Sequence, residues 1–205
     1  MAFGQDIQNM AVLSIPSAIY SIVVHVRSRL SLREVASRLG LTIGTFKAYF
    51  LAVAVSVPGA ILAIFASTWT SHFQGSMLAP FVGAPPTLTI IGSALSYGVI
   101  ATGFPEELLF RGLIAGTLFR RMSFIKANFL QAAIFMLPHL LILLVAPQLW
   151  LLAIVLPLTL GLIGGWLRHT SGSIFPSVLI HATTNAAGAL WVLNWSGVLS
   201  QQVTS

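Results

Sequence analysis

Charge is what this sequence has least of. Asp, Glu, Lys and Arg make up 7% of its 205 residues, against 57% hydrophobic, whereas a soluble domain carries roughly 25% charged residues. Cysteine is absent. That removes disulfides, thiolate metal ligands, a Cys nucleophile and a prenylatable C-terminal Cys on this chain. Asp6 is the one Asp, so an aspartyl dyad cannot form. His-Glu-x-x-His and Gly-x-Ser-x-Gly are both missing, which excludes the common helical zinc-protease signature and the serine nucleophile elbow. Met1–Met10 has no Lys or Arg, so the basic start of a cleaved signal peptide is lacking and the first apolar segment is expected to be retained.

What is abundant is apolar sequence in long, continuous runs, with a mean hydropathy of +0.93. A bilayer core of about 30 Å takes about 20 helical residues, and continuous rather than alternating runs argue against a membrane β-barrel. We read an all-α, polytopic helical membrane protein, one domain over residues 1–205, with about six transmembrane segments. They fall at about Met10–Val26, Phe46–Trp69, Leu88–Phe119, Phe124–Ala146, Leu149–Leu167 and Ile174–Trp195. The third runs about 48 Å if wholly helical, too long for one straight span, so a kink is expected at Gly103 and Pro105. Gly83-Ala84-Pro85-Pro86 marks an outer loop, and the tail from Ser196 to Ser205 is polar.

The ten cations divide cleanly. Arg27, Arg29, Arg33, Arg38 and Lys47 follow segment one; Arg111, Arg120, Arg121 and Lys126 lie at or after the end of segment three; Arg168 lies between segments five and six. The opposite loops, Thr70–Thr87 and Pro147–Gln148, have none. The positive-inside rule then puts both termini outside a cell membrane, read as a bacterial inner membrane, with the basic loops in the cytoplasm. Trp69, Trp150, Trp166, Trp191 and Trp195 sit near segment ends, as an interfacial belt would place them. The formal charge of +6 therefore reads as topology and lipid contact rather than nucleic-acid binding. One loop, Ser31–Leu41, resembles the start of a helix-turn-helix and fits a capping box at Ser31 and Glu34. It is too short for a DNA-binding domain, so a surface amphipathic helix is expected.

Three polar constellations interrupt the apolar runs at helical spacing. Two of the four acids stand together as Glu106-Glu107. Arg111 shares the face of Glu107, while Glu106 points about 100° away. One carboxylate is then held by Arg111 and the other is free to work. His139 follows Pro138 in the run Ala132–Val145, and His181 and Asn185 share a face of the last helix. Counting from Arg120, Lys126 and Ser173, Glu106, His139 and His181 lie about 21, 20 and 12 Å from the basic side, so they are expected to meet in one layer. His25, His72 and His169 fall at segment ends or in loops and are given no role. Ser173 sits at the edge, well below His181. This set suits water activation: Glu106 as general base, a His positioning the water, His181 and Asn185 donating to the oxyanion. The same Glu106, His139 and His181 would also serve as Zn²⁺ ligands. The residues leave open whether the cofactor is none or Zn²⁺.

In order and in successive helices, Glu106-Glu107-Leu108-Leu109-Phe110-Arg111, Phe135-Met136-Leu137-Pro138-His139 and His181-Ala182-Thr183-Thr184-Asn185 resemble the CPBP family of type II CAAX prenyl endopeptidases and bacteriocin-processing relatives. The likeness covers about residues 104–188. It implies an intramembrane endopeptidase that hydrolyses a peptide bond in a membrane-associated or prenylated peptide. The implied catalytic residues are Glu106, His139, His181 and Asn185, with Glu107 and Arg111 supporting, and the implied partners are the lipid bilayer and a peptide or protein substrate. The other readings are a non-catalytic peptide-binding or immunity-type membrane protein and a small proton-coupled transporter.

Overall fold

The computed structural model describes residues 2–70 and 77–194. His72, Trp195, the middle of the loop Thr70–Thr87 and the polar tail lie outside the described residues. Among those described there is helix and loop but no strand. Helix α1 spans Ala2–Ser28, α2 Leu32–Arg38 and α3 Phe46–Thr70. Helix α4 runs unbroken over Leu88–Phe119, and α5 over Phe124–Leu144. Helix α6 spans Leu156–Ser171, entered through a π-helical turn at Leu151–Val155, and α7 spans Phe175–Trp191.

Helices α1, α3, α4 and α5 are long and apolar enough to cross a membrane, and the chain is a multi-pass membrane protein. The regular parts of α6 and α7 have 16 and 17 residues, about 24–26 Å at 1.5 Å per residue, short of a hydrocarbon core of about 30 Å. The reason differs between them. Pro157 and the π turn spoil the entry to α6, whereas α7 is the central helix and is buried over much of its length, from Pro176 to Ala189. Helices α3, α4 and α6 pack around it. The outer faces stay apolar: Val12, Ile15, Ile19 and Ile22 of α1 and Phe50, Val53, Val57, Ile61 and Phe65 of α3 are exposed, the pattern of side chains that face lipid rather than water. Trp150, Trp166 and Trp191 are exposed as well, consistent with interfacial positions.

Ser31 caps α2 as its sequence suggests. Its Oγ accepts from the Glu34 N–H at 3.3 Å, and the Glu34 carboxylate accepts from the Ser31 N–H at 2.8 Å. These bonds hold the Glu34 carboxyl below its usual range. Residues 41–45 after α2 are not helical and lead straight into the long apolar α3, so the second helix of a helix-turn-helix does not form. Gly83 donates to Val192 O and Asn194 to Ala84 O, so the Gly-Ala-Pro-Pro loop pairs with the end of α7.

The centre closes on small residues. A Cβ on Gly98 of α4 would lie 2.6 Å from the carbonyl oxygen of Ala182 in α7, so only glycine permits this backbone approach. Gly92, six residues earlier, faces open space. Gly98→Val is therefore expected to cost about 1–3 kcal/mol by overpacking, read as a lower apparent Tm in detergent, while Gly92→Val leaves the Tm unchanged.

Candidate active site

The Glu pair sits on a single α-helical turn, Phe104–Glu107, held between two π-helical stretches, Tyr97–Gly103 and Leu108–Ala115. Pro105 cannot donate a backbone bond and crowds the preceding turn. The expected distortion at Gly103–Pro105 takes the form of this widening, with the Phe104 N–H reaching back five residues to Val99 O. Thr102 Oγ donates at 3.0 Å to Tyr97 O and 3.2 Å to Gly98 O, satisfying carbonyls that the wider turn loosens. Such π segments change which way successive side chains point, and they recur at functional sites.

Glu107 points inward and is 1% exposed. Its Oε1 lies 2.9 Å from Nη1 of Arg111 and accepts from Nδ1 of His181 at 3.0 Å. The Arg111 contact is close yet off the hydrogen-bonding direction, so charge holds it more than a directed bond. Arg111 is 1% exposed too. It donates to Leu160 O at 3.2 Å, and its guanidinium lies 4.1 Å from the centre of the Phe135 ring, a cation–π contact. This corrects the reading of Arg111 as a cation at the basic end. It belongs to the site.

His181 joins the two acids. Because Glu107 accepts from Nδ1, the proton of neutral His181 is on Nδ1 and its Nε2 carries the lone pair. That Nε2 lies 3.8 Å from Oε2 of Glu106, whose side chain is 22% exposed. The two acids therefore differ as the helical spacing suggested: one is sealed and paired, the other open. His139 is near but not joined. Its Nδ1 donates to Phe135 O at 3.1 Å, and the Phe135 ring touches both imidazoles, its centre 5.0 Å from that of His139 and 5.9 Å from that of His181. Asn185 donates to Thr102 Oγ at 2.9 Å, which ties it to the π stretch before the Glu pair.

His181 reaches the Glu level although counting along the chain put it shallower. The turn between α6 and α7 is recessed: Ile174 packs with Leu39 and Leu108, so α7 starts well inside the end of α4. Sequence reasoning overlooked Thr102 and the ring of Phe135. Thr102 carried one signal, a hydroxyl one turn before Glu106 in an apolar run. Nothing in the sequence marked Phe135 as the plate that Arg111, His139 and His181 share.

The donor set does not assemble around one metal position. Among the described residues no three His, Asp or Glu side chains converge. Nδ1 of His181 is committed to Glu107, and Nδ1 of His139 to Phe135 O. A cavity of about 10 Å³ lies beside Glu107, Arg111 and Ser177; Glu107 Oε2 and Arg111 Nε are buried there without a protein partner. The larger groove, about 400 Å³ between α3 and α7, is lined by Val57, Leu179 and Thr183, on the side of α7 opposite His181.

Residues 86–187 match the family model described as Type II CAAX prenyl endopeptidase Rce1-like. The chain belongs to this family. All three motifs fall inside the matched span, while α1–α3 lie outside it. Rce1-like membership implies CAAX-type intramembrane protease activity on peptide substrates. No curated protein and no solved structure matches the chain.

Removing one partner of the sealed pair strands a buried charge. Arg111→Ala is expected to cost about 3–5 kcal/mol, and Glu107→Leu/Arg111→Met to recover most of it, measured as apparent Tm in detergent.

Proposed function

We propose that the protein is an intramembrane endopeptidase in which Glu106 activates water against a peptide carbonyl. The observation that carries this is the 3.8 Å gap between Glu106 Oε2 and His181 Nε2. Both atoms are acceptors, too far apart to bond directly, and one water at about 2.8 Å from each would serve both. The rest of the arrangement supports that use. Arg111 and His181 hold Glu107, and Glu107 in turn fixes the His181 tautomer that leaves Nε2 facing Glu106.

In the reaction Glu106 takes a proton from the water as its oxygen bonds the carbonyl carbon. Negative charge moves to the carbonyl oxygen. Asn185 has a second amide hydrogen besides the one on Thr102, and that hydrogen is the oxyanion donor. The tetrahedral carbon then expels the amine, which takes the proton from Glu106. Nδ1 of His139 is used by Phe135 O, so its Nε2 is an acceptor and serves to place the water or the substrate N–H. Glu106, His139 and His181 do not converge on one metal position. The substrate is a membrane-anchored peptide, and the basic end faces the cytoplasm.

With an anchored fluorogenic peptide in proteoliposomes, Glu106→Gln and His181→Ala are each expected to lower cleavage about 10²–10⁴-fold; Glu106→Gln keeps the wild-type Tm, whereas His181→Ala also lowers it by leaving Glu107 without its buried donor. Full cleavage by Glu106→Gln sinks the proposal. Retained peptide binding with no cut fragment by mass spectrometry would instead favour a binding protein.

Chelation separates the two routes to an activated water. Purified protein holding far less than one metal per chain is expected to keep its activity in EDTA. Loss in EDTA with recovery on Zn²⁺ would overturn the metal-free mechanism.

A further inference from the structure

We infer that the basic end of the protein carries a binding site for a phosphate group, formed by Arg120 and Arg168 with Arg38 beside them, and filled by the headgroup of an anionic phospholipid or by free phosphate. The site arises from the docking of α2. A Cβ on Gly112 or Gly116 of α4 would lie 2.8 Å from the carbonyl oxygen of Leu39 or Arg38, so the end of α2 rests directly on the α4 backbone. Arg168 of α6 completes that contact. Its Nη2 donates to Arg38 O at 3.0 Å and Ser37 O at 3.4 Å, satisfying the last carbonyls of α2.

Arg168 is 8% exposed, and its Nε is buried with no partner. Arg120 comes to the same place from α4. Its Nη1 and the Nη2 of Arg168 stand 3.5 Å and 3.6 Å from the point where a Gly116 Cβ would be. Arg120 spends Nη2 on Tyr20 Oη and Thr117 Oγ1; its Nη1 and Nε make no hydrogen bond to the described residues, nor does Nη1 of Arg168. Two guanidiniums thus crowd together with donors to spare.

Glu34, one turn before Arg38 on α2, acts on Arg38, but no carboxylate side chain offsets Arg120 or Arg168. The chain has four acids. Asp6 accepts from Ser96, Glu34 is used by Ser31, and Glu106 and Glu107 lie in the active site. Paired guanidiniums match the oxygens of a phosphate group. The cluster joins α1, α2, α4 and α6 where the apolar spans end, the depth of a lipid headgroup. Its occupant would lock α2 onto the helix that bears the Glu pair.

The test uses the full chain in nanodiscs of phosphatidylcholine alone, with added phosphatidylglycerol, or with inorganic phosphate in the buffer. Apparent Tm and, by native mass spectrometry, retained phosphatidylglycerol are read out. Phosphatidylglycerol is expected to raise the Tm and stay bound. Arg120→Gln weakens retention about tenfold, whereas Arg33→Gln, an exposed cation outside the cluster, and Tyr20→Phe, which keeps the cation, do not. An equal rise with inorganic phosphate alone, lost in Arg120→Gln, would support the site with free phosphate as its source. Arg168→Gln removes a cap of α2 and risks misfolding, so the exposed Arg120 carries the test. No rise with either anion, or equal loss in Arg120→Gln and Arg33→Gln, overturns the proposal.

Discussion

The buried contact of Glu107 with Arg111 and His181 is the interaction on which the rest depends. An acid and a base with side chains 2% and 1% exposed are costly to take out of water, and such a pair often contributes little net stability. Its value here is orientation. Glu107 fixes α7 against α4 through His181, while Arg111 reaches α6 at Leu160 O and α5 at the Phe135 ring. Four helices meet through these side chains, and Glu106 is left over with an open carboxylate.

Holding a polar centre inside an apolar bundle requires close helices. The small residues of α4 and α7 provide this: Gly98, Gly103, Ala182 and Ala186 let the two backbones touch, and dispersion between them is the main attraction available where lipid is as apolar as the protein. The π-helical stretches are part of the same solution. They fit a proline into the long helix and flank the single turn that bears the Glu pair. At the basic end α2 closes the bundle. A short capped helix, it contacts the α4 backbone at two glycines and is held by a buried arginine.

Much of this was legible in the sequence. The bounds of α3, α4 and α5 follow from where apolar runs begin and end, because a helix crossing lipid has to satisfy its own backbone bonds. The pairing of Glu107 with Arg111, and the different setting of Glu106, follow from the 100° step between residues. Less legible were contacts between helices. Arg111 reads both as the partner of Glu107 and as one of the end charges, because position along a segment does not say that the guanidinium turns inward. His139 reads as lying at the depth of Glu106, but depth counts ignore rotation about the helix axis and so do not show that its ring packs on Phe135.

By itself the sequence determined a helical, multi-pass chain, the order of its three polar motifs and the residues able to do hydrolytic chemistry. These depend on composition and on helical periodicity, which act within one segment. Tertiary structure alone decided that His181 lies against both acids, that Asn185 anchors to Thr102, that one ring of Phe135 touches both His139 and His181, and that Arg120 and Arg168 converge. The physical reason is that each of these depends on the rotation and sliding of one helix against another. Those are set by small-residue packing spread over the whole bundle, and no single stretch of sequence contains them.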